Sequence, residues 1–170
     1  MTRRASTPSP PAAHHLVMTP LHPTLERWFV EYADAHKHPT NRLTHKIAIP
    51  LIVFHIIAML DWIKLPVDVG GVALSLGHAL YVAAVLFYLR LHIPLGLLMA
   101  VLFALCFPLA AITPKVVVVV VAVVGWVVQL AGHSIWEKNR PAFATNLLQA
   151  LIGPLFFVAV LTGVWRPARA

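Results

Sequence analysis

Charge is scarce in this chain. Asp, Glu, Lys and Arg together make up 11% of its 170 residues, against 59% hydrophobic residues. One soluble domain cannot bury that much apolar surface. The composition therefore excludes an ordinary water-soluble globule, and a mean hydropathy of +0.80 describes an integral membrane protein. Cysteine is almost missing: Cys106 stands alone inside an apolar run, which excludes an intramolecular disulfide framework and any C-x-x-C motif. There is no phosphate-cradling glycine loop and no G-x-S-x-G elbow, so nucleotide-dependent and serine-hydrolase chemistry find no support. The formal net charge of +7 is not laid out as basic patches interleaved with aromatics, and nucleic acid is excluded as a partner.

What the chain has instead is long apolar runs. A helix needs roughly 20 mostly apolar residues to cross a hydrocarbon core of about 30 Å. Five windows qualify as spans: Ile47–Ile63, Val69–Leu89, Ile93–Ile112, Val116–Gly132 and Leu147–Val164. The first and fourth are short, and the first contains Pro50 and His55, so four spans are an alternative count. The run of β-branched residues at 116–124 is expected to be helical, because lipid offers the backbone no other partner. Short connections at 90–92 and 113–115 predict antiparallel hairpins between spans two, three and four. The fold expected is all-α, a polytopic membrane helix bundle forming one domain over residues 21–166.

Residues 1–20 are rich in Pro, Ser, Thr and Ala and are expected to be a disordered tail, as are residues 167–170. No apolar h-region follows Arg3 and Arg4, so the segment does not read as an export signal. In residues 23–36, Leu25, Trp28, Phe29 and Tyr32 recur at helical spacing with Glu26, Glu31 and Asp34 between them, which predicts an amphipathic helix at the membrane surface or against the bundle. With five spans, one side carries Arg3, Arg4, Arg27, Lys37, Arg42, Lys46, Arg90, Lys138 and Arg140, and the other only Lys64, Lys115, Arg166 and Arg169. The richer side is expected to be cytoplasmic.

On that side the chain also gathers its chemistry-bearing residues. His36, Asn41 and His45 precede the first span, and Gln129, His133 and Glu137 share one helix stripe at the end of the fourth. Pro39 interrupts the helix between His36 and His45, so both imidazoles can turn to one point, while Thr40 or Asn41 can cap the next helix. Ionisable groups at membrane depth are costly and read as functional. Imidazoles with a carboxylate suit Fe, Zn, Mn or Cu, and two His with one carboxylate is the usual non-haem Fe(II) arrangement for handling O2. Gln129, one turn deeper, would orient a ligand or substrate. His92 is a further candidate ligand and His38 a lesser one. His55 and His78 read as hydrogen-bonded bundle residues, and His14, His15 and His22 as solvated.

Two separated motifs then carry a resemblance. Y-x3-H-x4-N-x3-H (Tyr32, His36, Asn41, His45) followed by Pro50, together with Q-x2-G-H-x3-E-x3-P-A (Gln129, Gly132, His133, Glu137, Pro141, Ala142), resembles the small membrane family that includes the endoplasmic-reticulum 2-hydroxy fatty acid dioxygenase. The similarity runs from residue 28 to about 160. It implies an Fe(II)-dependent α-oxidation that uses O2 to shorten a 2-hydroxy fatty acid by one carbon. It also implies His36, His45 and His133 as metal-binding histidines, with Glu137 as a ligand or an acid/base, beside Gln129, Asn41 and Tyr32. The acid's carboxylate and hydroxyl can chelate iron while the acyl chain lies between helices, with Lys37, Arg42 or Arg140 near the carboxylate.

Two rival readings make different predictions. A Zn-dependent membrane lipid hydrolase with Glu137 as general base would need no O2. A non-enzymatic scaffold or transporter would hold no stoichiometric metal, and the chain shows no inverted repeat of the transporter kind. Nothing in the pattern specifies an oligomeric state.

Overall fold

The computed structural model describes residues 21–166 apart from 142, 144 and 145. The two tails expected to be disordered lie outside the described residues. The chain runs α1 (Pro23–Asp34), α2 (Pro39–Asp61), β1 (Lys64–Val69), β2 (Val72–Ser75), α3 (Leu76–Leu91), α4 (Ile93–Ala104), α5 (Cys106–Ile112), α6 (Lys115–Ala131), a π-helical turn (Gly132–Glu137) and α7 (Leu148–Leu161).

Three stretches are long and apolar enough to cross a membrane: Pro39–Asp61, Ile93–Ile112 and Lys115–Glu137; α3 and α7 are shorter apolar helices. The five expected windows thus each correspond to helix, with corrected lengths. The first and fourth are the longest at 23 residues each, because each continues past its apolar window into polar residues that fold inward. The second starts late. Its expected first residues form a β-hairpin, in which Gly70 and Gly71 take φ of 63° and 84°, the left-handed turn conformation that closes a two-residue hairpin. The third breaks at Leu105, because Pro108 has no N–H to offer the carbonyl four residues back.

Histidine starts several of these helices. His22, His38 and His92 are the N-caps of α1, α2 and α4, each ring accepting from a backbone N–H two or three residues on. Thr40 and Asn41, expected as caps of α2, are not its cap. Pro39 occupies the first helical position, so the extended residue before it takes the role.

α2 is the central helix, packing along α6 and against α3, α5 and α7. α1 buries Leu25, Phe29 and Tyr32, as its amphipathic pattern predicts, and lies on α7 in a core completed by Tyr88, Met99, Ile152 and Leu155. On α6, Val116, Val120, Val123 and Val127 face outward, an apolar surface suited to lipid. The polar start of α2 and the end of α6 meet at one end of the bundle. The site lies there.

Candidate metal centre

Three histidines converge. His36 follows the last turn of α1, His45 sits two turns into α2, and His133 lies in the π turn after α6. They are 4%, 4% and 1% exposed, and one ring nitrogen from each lies within 4.8 Å of the others. The His36 ring is stacked on Tyr32, with centroids 4.1 Å apart and planes at 17°.

The hydrogen bonds fix what these rings present to one another. His36 Nδ1 donates to the Tyr32 carbonyl at 2.6 Å, and His45 Nδ1 donates to the Asn41 carbonyl at 2.8 Å. A carbonyl only accepts, so both Nδ1 atoms carry the proton and both Nε2 atoms are bare lone pairs. Those two lone pairs face each other at 3.1 Å, and His133 Nε2 stands 3.0 Å from His45 Nε2. Lone pairs set face to face repel unless a cation lies between them. An imidazole whose other nitrogen donates to a backbone carbonyl is the usual form of a metal ligand. Nitrogens bound at about 2.1 Å lie about 3.0 Å apart on one face of an octahedron and about 3.4 Å apart on a tetrahedron. Two of the three spacings are as short as those between ligands on one ion, and a set of three neutral imidazoles suits a transition-metal ion.

Gln129, 6% exposed, brings its amide nitrogen to 2.7 Å from His45 Nε2. Glu137 is placed differently from the three rings. Its Oε1 accepts from the His38 backbone N–H at 2.7 Å and from Asn41 Nδ2 at 3.2 Å, and it is not part of the converging set. It ties the start of α2 to the π turn. Asn41, fully buried, thereby does two things: its carbonyl orients His45 and its amide holds Glu137. Arg42 Nε donates to the His36 carbonyl at 2.6 Å.

The π turn makes this closeness possible. Gly132 packs on α2 where a Cβ would collide with Asn41 Oδ1 and Thr44 Oγ1. A π turn advances about 80° per residue rather than 100°, so Glu137 leaves the straight stripe of the α-helical spacing and reaches residues 38 and 41. The turn ends at Lys138, which takes the left-handed φ of 52°.

Burial lowers the pKa of His36 to about 4, helped by the neighbouring His133, while the hydrogen bond to Tyr32 and the Glu137 charge pull the other way. The ring is neutral at physiological pH and available as a ligand. Burial also raises the Tyr32 phenol above its usual value, so it stays protonated.

Two cavities meet at the histidines. One, of about 180 Å³, is walled by apolar residues of α2, α3 and α7 with His36, Gln129 and His133 at one end. The other, of about 230 Å³, is lined by Tyr32, His36, His45, Arg42 and Lys46, which puts two cations beside the site.

Against known proteins, the Mpo1-like family, described as 2-hydroxy-palmitic acid dioxygenase Mpo1-like, matches residues 22–164. The chain belongs to this family. It is also 35% identical over 132 residues, 75% of this chain and 72% of the relative, to the 2-hydroxy-palmitic acid dioxygenase MPO1 of Saccharomyces cerevisiae. No solved structure matches.

In this Mpo1-like chain, His36, His45, His133, Gln129, Asn41 and Tyr32 lie together as the motifs group them, and Glu137 stands just behind. His92 does not join them: it caps α4 through Leu95 N. His55 is held by Leu51 and Trp126, and His78 by Ser75. Thr44 and Gln149 also lie here, outside both motifs. For Thr44 the available signal was Gly132, whose missing side chain makes room for it. Gln149 is a lone amide entering an apolar run, the same signal that marks Gln129.

Proposed function

We propose that the chain is a membrane-embedded Fe(II)-dependent dioxygenase that uses O2 to shorten 2-hydroxy fatty acids by one carbon, with His36, His45 and His133 as the metal ligands. The observation that carries this reading is the set of three imidazole nitrogens converging beside an apolar cavity, in a chain whose yeast relative is named a 2-hydroxy-palmitic acid dioxygenase. The relative's name, a dioxygenase, favours redox-active iron over zinc, which has no redox chemistry. Iron(II) held there would supply the one-electron chemistry that triplet O2 requires to react with a closed-shell acid, and would take the acid's carboxylate and hydroxyl.

The chain's own residues bind and orient. The cavity between α2, α3 and α7 accepts the acyl chain and excludes water. Arg42 and Lys46, lining the second cavity, draw the carboxylate to the histidine end. Gln129, whose amide nitrogen lies 2.7 Å from His45 Nε2, would stand beside a metal held there and could donate to that carboxylate. Tyr32 and Asn41 hold His36 and His45 in the tautomer that leaves Nε2 bare. Glu137 keeps the two chain segments closed on each other. The unit is one membrane-embedded domain, with its N-terminus and site on the cytoplasmic face.

The test is metal content of detergent-purified protein prepared anaerobically with iron supplied, beside His36→Ala, His45→Ala and His133→Ala, followed by O2 uptake with 2-hydroxypalmitate. About one iron per chain, lost in folded variants together with O2 uptake, is expected. Zinc in its place, or activity without O2, would overturn the reading in favour of a hydrolase.

A further inference from the structure

The apolar cavity contains a second amide that the proposed chemistry has not used. Gln149, at the start of α7, is 6% exposed and lines the same cavity as His36 and His133. Its Nε2 donates to Glu31 Oε2 on α1 at 3.4 Å. A carboxylate only accepts, so the amide is held with its nitrogen toward Glu31 and its oxygen turned away. That oxygen, Oε1, is buried and has no hydrogen-bond partner among the described residues.

A buried acceptor left unpaired bears the full desolvation cost of its carbonyl. What it lacks is a donor. A carboxylate has none, and an ammonium group would be stranded among the aliphatic walls. A neutral hydroxyl on an apolar chain meets both conditions. We propose that Gln149 is a specificity-determining residue that accepts a hydrogen bond from the hydroxyl of a hydroxylated long-chain acid, distinguishing it from the unsubstituted acid. This deepens the function proposed above and takes from it that the ligand is a fatty acid with its carboxylate at the histidine end. Glu31 acts through Gln149 as a positioning residue, holding the amide nitrogen toward α1 and leaving the oxygen as the end without a partner.

The test is equilibrium binding, independent of turnover. Full-length protein in detergent, metal-free and anaerobic, is loaded with a fluorescent fatty acid and titrated with palmitate or 2-hydroxypalmitate. The wild type is expected to prefer the hydroxy acid about tenfold, the scale of one hydrogen bond to a buried acceptor. Gln149→Leu should abolish that preference while binding palmitate at least as tightly, since an apolar side chain removes the unpaired oxygen.

Equal affinity of the wild type for the two acids would overturn the inference, as would a Gln149→Leu variant that keeps the preference or weakens both acids alike. If Gln149→Leu fails to fold, Glu31→Leu decides, because the Glu31 side chain is 50% exposed. A preference reduced severalfold supports the inference and an unchanged one overturns it. Absence of O2 uptake by iron-loaded wild type would count against the dioxygenase and leave the binding preference standing. Turnover without any preference would do the reverse.

Discussion

Each end of the bundle carries a knot of histidine and polar side chains, and the two differ in whether their hydrogen bonds close. At the hairpin end, Ser75 Oγ lies 2.6 Å from Asp61 Oδ1 and 2.7 Å from His78 Nδ1, and Lys64 Nζ reaches both Asp61 oxygens at 3.1 Å. The carboxylate has no proton, so the serine donates to Asp61 and must accept from His78. Ser, His and Asp are all present, yet the hydroxyl proton points at the carboxylate and not at the imidazole, so nothing there activates a nucleophile. At the histidine end the Nδ1 donors of His36 and His45 point outward to backbone carbonyls, their Nε2 lone pairs face each other with the Gln129 amide reaching only His45, and His133 Nδ1 has no partner among the described residues. A closed network stabilises a fold. An open one is arranged for a ligand.

Removing a member of the open set should have the largest effect. His45→Ala is expected to lose the metal and to lower activity by more than about 100-fold, beyond the roughly 10–100-fold that losing only an outer-shell partner of a ligand costs, while far-UV circular dichroism stays helical. Asp61→Asn, at the other end, should leave metal content and substrate affinity unchanged. Loss of metal from Asp61→Asn would mean that the two ends do not divide the work between them.

pH separates the two ends next. His36 has its pKa lowered by burial from 6.5 to about 4. The unfolded chain takes up this proton as pH falls through about 6.5, whereas the folded chain resists until about 4. Stability is therefore full above 6.5 and is lost between 6.5 and 4, by about 3 kcal/mol for the metal-free protein. Thermal unfolding of metal-free wild type across that window should show at least this loss, and His36→Gln should reduce it by about the His36 share, the other two buried imidazoles keeping theirs.

The two ends were not equally legible. His36, His45 and His133 stand out in the sequence because an imidazole beside an apolar run is expensive and Pro39 frees the chain to bring two of them together. The hairpin was missed, although Gly70-Gly71 between valines is a turn signal, because valine serves strand and membrane helix alike and the hydropathy window read straight through it. The extra length of α2 and of the span that α6 forms with the π turn was hidden for the opposite reason: Asn41, Thr44 and Glu137 look like residues at an aqueous boundary, but they fold onto one another. The π turn has no composition of its own. It follows from Gly132 meeting α2, a contact between residues far apart in the chain.

That contact is the next place to press. Gly132→Ala puts a Cβ against Asn41 Oδ1 and Thr44 Oγ1, and both lie on α2 with little room to retreat. The substitution should destabilise the protein by about 1–3 kcal/mol and move Asn41, whose carbonyl orients His45. Metal affinity should therefore fall together with stability. Pairing Gly132→Ala with Thr44→Ala removes one of the two clashes and should restore part of each. A Gly132→Ala variant with full metal content would show that the π turn is not what sets the spacing between His45 and His133.

The smallest effect is expected from Ser75→Ala at the closed end. Ser75 is the N-cap of α3 through His78 N at 3.3 Å and also joins His78 to Asp61. Losing a serine cap costs about 1 kcal/mol. Asp61 keeps both contacts to Lys64, so its charge stays compensated and the loss should not grow beyond that scale. Because the network carries no ligand, the lowered unfolding midpoint should come with unchanged iron content and unchanged O2 uptake. This is the reverse of the pattern at His45, where function goes and helix content stays. If Ser75→Ala instead abolished activity at full stability, the proton would have to reach the imidazole after all, and the hairpin end would be a second reactive site rather than a clasp.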